Sequence, residues 1–97
     1  MTSLDSIKIK AIPILKKAGV TRSGLFGSYV RGEQKPESDI DFLASFSRRK
    51  SLLDLVRIER DLSGILGVKV DLVTEKSLSP YLIDRIKSEV KPIYYEG

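Results

Sequence analysis

Gly27-Ser28-Tyr29-Val30-Arg31-Gly32 and, after a polar loop, Ser38-Asp39-Ile40-Asp41 are the residues on which the fold of this chain turns. From Asp39 to Phe46 acidic or small residues alternate with apolar ones, the period of a strand with one face in a core. That alternation puts Asp39 and Asp41 on one face and turns Ile40 and Phe42 into the opposite layer. Upstream, Thr21 to Phe26 reads as a second strand, running into Gly27-Ser28 and then a single helical turn over Tyr29 to Gly32. Glu33 to Ser38, which contains Pro36, reads as the polar loop between the two strands.

Working outward, Val68 to Thr74 is a third strand, and an aspartate, Asp71, interrupts its apolar run. Ser51 with Asp54 resembles a capping box, opening a helix in which Leu52, Leu55, Val56, Leu62 and Leu66 recur at helical spacing; the Leu and Ile positions of 52–66 are expected in the core. Gly67 stops that helix. Ser3 to Ala18 is a leading helix, with Leu4, Ile7, Ile12 and Leu15 near one face and Pro13 expected to kink it or begin a second piece. Ser79 followed by Pro80 is an N-terminal signature for a helix running to about Ser88. Pro92 to Tyr95 adds a short edge strand, and Tyr94 and Tyr95 are expected to pack or to face an interface. The order of elements predicts an α/β (α+β) fold, a small mixed β-sheet flanked by helices. With 97 residues, it predicts one domain spanning residues 1–97.

Composition narrows the chemistry. There is no Cys, so thiolate metal sites, disulfides and cysteine nucleophiles are excluded, and the absence of His removes the usual general base and zinc ligand. Any metal must be held by oxygen, which selects Mg²⁺ or Mn²⁺. The net charge of +4 favours anionic ligands, but only Arg48-Arg49-Lys50 form a basic cluster, which leaves direct nucleic-acid binding open. No apolar run reaches the ~20 residues of a membrane span, and no signal-peptide pattern opens the chain; a cytoplasmic protein is expected.

If the strands bearing Asp39 and Asp41 and bearing Asp71 are neighbours, three carboxylates converge on one patch. Unpartnered, they would repel and raise one another's pKa; an oxygen-only cluster of this kind suits Mg²⁺ carrying a triphosphate. Gly27 lets backbone approach a ligand closely, and Ser28 adds amide and hydroxyl donors for a phosphate. Arg31, on the same side of the turn, is placed to contact a phosphate or brace a carboxylate. Paired acids suggest two metal ions, and Asp71 is placed to help deprotonate an acceptor hydroxyl. Each feature alone is commonplace: a Gly-Ser turn is most often structural, and a lone Asp on a strand is often only a solvated residue. Their order and spacing carry the reading.

Together, Gly27-Ser28, Arg31-Gly32, Ser38-Asp39-Ile40-Asp41 and Asp71 resemble the signature of the minimal nucleotidyltransferases of the DNA polymerase β superfamily, and the likeness runs along nearly the whole chain. The resemblance implies a polymerase-β-like nucleotidyltransferase fold. It implies Asp39, Asp41 and Asp71 as the catalytic and metal-binding triad, and Gly27, Ser28 and Arg31 at the nucleotide. It further implies Mg²⁺, ATP as substrate, and an antitoxin role beside a HEPN-type toxin, in a type VII-like pair, with AMP added to a toxin tyrosine. Two alternatives stay open: an antitoxin that neutralises by contact alone, and nucleotidyl transfer to RNA or a small molecule.

Overall fold

The computed structural model describes residues 4–33 and 39–96. Residues 34–38, most of the expected polar loop and including Pro36 and Ser38, lie outside the described residues. The elements follow the order α1 (Leu4–Lys17), β1 (Val20–Phe26), α2 (Ser28–Arg31), β2 (Ile40–Phe46), α3 (Leu52–Leu66), β3 (Val70–Thr74), α4 (Pro80–Glu89) and β4 (Lys91–Tyr95). A single 3₁₀ turn, Glu75–Ser77, joins β3 to α4.

The four strands form one mixed sheet in the order β3-β2-β1-β4. β1 runs antiparallel to both β2 and β4, while β2 and β3 are parallel and joined through α3. Antiparallel neighbours need only short connections, but a parallel pair needs a crossover, and α3 is that crossover. β4 takes the edge, as expected for a short strand carrying Pro92.

One face of the sheet carries the core. Ile7, Ala11 and Leu15 of α1 and Ile58, Leu62 and Leu66 of α3 form stripes at i, i+4, i+8, buried against Leu25, Ile40, Phe42, Ala44, Val70 and Ile93. Two expectations about these stripes are corrected. In α1 the inward positions are Ala11 and, partly, Ile14 rather than Ile12. In α3, Leu52, Leu53 and Ile65 are exposed at 78%, 60% and 48%, and Val56 at 49%, while Ile58, Leu62 and Leu66 are buried as expected. Leu52 sits in the first turn and Val56 lies off the stripe that the sheet covers, so helical spacing alone could not assign them. Pro13 does not divide α1, which continues as one helix from Leu4 to Lys17.

The ends of α3 are built as expected. The Ser51 hydroxyl accepts from the Asp54 amide at 3.1 Å, and the Asp54 carboxylate accepts from the Ser51 amide at 3.2 Å. Gly67 closes the helix with φ of 71°, a left-handed conformation that glycine adopts without strain. Side chains of α3 also cover the outer edge of β3: Ser63 Oγ accepts from the Val70 amide at 3.0 Å and Glu59 Oε2 from the Leu72 amide at 2.9 Å. An edge strand satisfied in this way is closed to pairing with another chain at those positions.

The opposite face of the sheet is left to function. Leu43, out of phase with Ile40 and Phe42, belongs to a groove of about 510 Å³ that also involves Gly24, Ser45, Lys87 and Val90. α4 borders this groove and contributes no buried residue to the core. None of the helices among the described residues is long and apolar enough to cross a membrane.

Candidate active site

Asp41 and Asp71 are register partners across the parallel β2–β3 pair, and Asp39 stands immediately before β2. Partners in a ladder project to the same face, and so do residues two apart on an extended chain. The face is the one that does not carry the core, since Ile40, Phe42 and Val70 are fully buried on the other. The sequence could not pair the two acid-bearing strands; the parallel crossover through α3 does so.

The three acids feel one another. Burial, followed by the charges of Asp71 and then Asp39, pushes Asp41 up to about 6, with Arg31 opposing. Asp71 is also raised, by burial first and then by Asp39, with Lys69 opposing. Lys69 Nζ lies 3.8 Å from Asp39 Oδ2, and both side chains are substantially exposed, so the pair is weak. Among the described residues no group of three or more acidic side chains is placed so that it could hold a metal ion. The donor set is nonetheless entirely oxygen, and mutual repulsion is what a cation between the carboxylates would relieve. In donor type, though not in their spacing here, these residues suit Mg²⁺.

Gly27 ends β1 and turns the chain into α2, with φ of 82°. A Cβ built there would collide with Asp41 Oδ2. No residue but glycine allows this approach, which sets the Gly-Ser turn directly against the β2 acid. Ser28 then begins α2 and Gly32 closes it, with φ of 73°. At the start of the helix the Ser28 and Tyr29 amides have no acceptor among the described residues. They are among the orphan donors that every helix start leaves, one and two residues past the Gly27–Asp41 contact.

Arg31 departs from the expectation. Its guanidinium is held by two glutamates, donating from Nε to Glu33 Oε1 at 2.7 Å and from Nη1 to both Glu89 oxygens at 3.3 Å. Glu89 also accepts from the Gly27 amide at 3.3 Å. Arg31 still lowers the pKa of Asp41, so its charge reaches the acids even though its hydrogen bonds go elsewhere. Glu33, Glu59, Lys69 and Glu89 were not identified from the sequence. Glu33 could have been suspected from its place two residues after Arg31. Glu89 is 58 positions away, and no local pattern marks it.

Residues 8–93 match the family model described as "Nucleotidyltransferase domain". A candidate protein adenylyltransferase of Methanocaldococcus jannaschii is 53% identical over 87 residues, covering 90% of this chain and 94% of that one. The protein adenylyltransferase MntA of Thermococcus cleftensis is 43% identical over 75 residues, covering 77% of this chain and 76% of that protein. Among solved structures, a toxin–antitoxin complex with AMP-PNP superposes with a TM-score of 0.83 at 27% identity, covering 91% of this chain and 73% of its counterpart. The match of model, sequence relatives and fold, on a sheet that sets paired aspartates beside a Gly-Ser turn, shows that this chain belongs to the nucleotidyltransferase domain family.

Proposed function

We propose that residues 1–97 form one nucleotidyltransferase domain that moves AMP from ATP to a hydroxyl, a tyrosine of a HEPN-type toxin partner, and thereby serves as its antitoxin. The observation that supports this most directly is the in-register pair Asp41–Asp71 beside the Gly27-Ser28 turn. Two likenesses support the direction of transfer: the relatives named protein adenylyltransferases, and the toxin–antitoxin neighbour holding AMP-PNP.

In this reading Asp39, Asp41 and Asp71 hold Mg²⁺, as two ions. Bound there, the metal would neutralise charge building on the triphosphate and align the attacking and leaving oxygens. The Ser28 amide and hydroxyl hold a phosphate, and Gly27 keeps that turn close to Asp41. Arg31 adds positive potential near the phosphates without surrendering its own carboxylate partners. The acceptor oxygen attacks the α-phosphorus, the bond to the α–β bridging oxygen breaks, and pyrophosphate leaves. The acceptor's proton passes to Asp71 as general base.

The test is incubation with labelled ATP and Mg²⁺, with and without the product of the adjacent gene. Label on the partner, lost in the Asp39→Asn/Asp41→Asn double variant, is the expected result. Tight binding and silencing of the partner by that same variant, with no label from the wild type, would replace catalysis with neutralisation by contact. Label on RNA alone would move the acceptor away from protein.

A further inference from the structure

We propose that Glu89, at the last turn of α4, is a positioning residue for nucleotidyl transfer. It fixes the Gly27-Ser28 turn against the β2 acid by holding the Gly27 amide and the Arg31 guanidinium at once. The proposal rests on the function argued above and adds a residue to that site.

The geometry is a bridge across the chain. Glu89 Oε1 accepts from the Gly27 amide at 3.3 Å and from Arg31 Nη1 at 3.3 Å, and Oε2 accepts from the same Nη1. Gly27 and Arg31 bracket α2, so one carboxylate grips both ends of the segment that carries Ser28. α2 is only four residues long and contributes no fully buried residue; Tyr29 and Val30 pack partly against the core, and the rest of the turn depends on polar contacts. A one-turn helix is unstable without outside contacts, and a charge-assisted clamp at both ends is an effective one. α4 is in the same position: it buries nothing, and Glu89 with the Lys87–Glu75 ion pair at 3.7 Å ties it to the rest of the fold.

A carboxylate on donors beside a phosphate site could instead be a competitor of the nucleotide, and the two roles predict opposite signs. Two observations favour positioning. Glu89 takes the Gly27 amide, which precedes the turn, while the Ser28 and Tyr29 amides are left without an acceptor among the described residues. Arg31 would also keep its shorter bond, 2.7 Å from Nε to Glu33, if Glu89 were lost, so the guanidinium stays tethered beside α2 although Nη1 is released. Losing Glu89 thus chiefly loosens the turn, and the sign of the change in KM separates that from relief of competition.

The experiment compares Glu89→Ala and Glu89→Gln with the wild type. By amide hydrogen exchange, Glu89→Ala should speed exchange of the Gly27, Val30 and Arg31 amides about tenfold, with exchange in α3 and the central strands unchanged. With ATP, Glu89→Ala should raise KM about tenfold with a smaller change in kcat, and Glu89→Gln, which keeps an acceptor oxygen, should recover most of it. In the Arg31→Ala background the effect of Glu89→Ala should shrink, because the two act through one clamp. Unchanged exchange of the Gly27, Val30 and Arg31 amides overturns the proposal, and so does a lowered KM, which would make Glu89 a competitor. If the wild type binds no nucleotide, the proposed function fails, and the exchange measurement alone still decides whether Glu89 holds the turn.

Discussion

Replacing Asp41 with Asn should stabilise the metal-free protein while removing its activity. Asp41 is pushed up to about 6 from an ordinary 3.8, by burial and by the charges of Asp71 and Asp39. The folded state therefore holds a proton on Asp41 that the unfolded chain has already released. Below about pH 4 both states are protonated and the group costs nothing. As pH rises toward 6 the folded state becomes progressively less stable, and above 6 the full cost is present. Taken at 1.36 kcal/mol for each pH unit of displacement, that cost is about 3 kcal/mol. Asp41 is only half-buried and solvent screens its neighbours, so a realistic cost is about 1 kcal/mol. Asn has the same shape and carries no charge. In a domain of this size ~1 kcal/mol corresponds to a rise of about 4–8 °C in Tm. The assay is thermal unfolding of wild type and Asp41→Asn in EDTA at pH 7.5 and again at pH 4. The variant should melt higher at pH 7.5, and the gap should close at pH 4. A variant that melts at or below the wild type at pH 7.5, or a gap that persists unchanged at pH 4, would refute the electrostatic account of the site.

Other outcomes follow from the same structure. Mg²⁺ with ATP should raise the wild-type Tm through mass action and leave the Asp39→Asn/Asp41→Asn variant unmoved, as read by thermal shift. Gly27→Ala forces a side chain into the left-handed region and onto the Asp41 carboxylate, so transfer should fall at least ~100-fold; activity within tenfold of wild type would contradict the close approach. Leu62→Ala removes a fully buried side chain between α3 and the sheet and should cost about 2–5 kcal/mol in denaturant unfolding. Ser51→Ala breaks the capping box of α3 at about 1 kcal/mol, whereas Leu53→Ala, at an exposed position, should cost under about 0.5 kcal/mol.

Much of this was readable along the chain because the signals were local. The alternation of Asp39 to Phe46, the capping box at Ser51 and Asp54, the Ser79-Pro80 start of α4 and the glycine stop at Gly67 each depend on residues a few positions apart, and each is seen in the structure. Gly27-Ser28, Arg31-Gly32, Ser38-Asp39-Ile40-Asp41 and Asp71 carried the likeness to nucleotidyltransferases that the family model bears out. Helical spacing was less reliable where it had to choose a face. Leu52, Val56 and Ile12 fit a period of 3.6 but lie away from the buried stripes, because what a helix buries depends on the angle and reach of the sheet beneath it.

By itself, then, the sequence determined the elements, the two faces of β2 and an oxygen-only donor set, all properties of neighbouring residues and of composition. Tertiary structure decided the rest. The parallel pairing that brings Asp71 beside Asp41 depends on α3 crossing from β2 to β3. The collision that forces glycine at position 27 exists only once β1 and β2 are adjacent. The Glu89 bridge joins residues 58 and 62 positions apart, a distance over which no periodic or local propensity acts, so only the packed chain can bring those charges together.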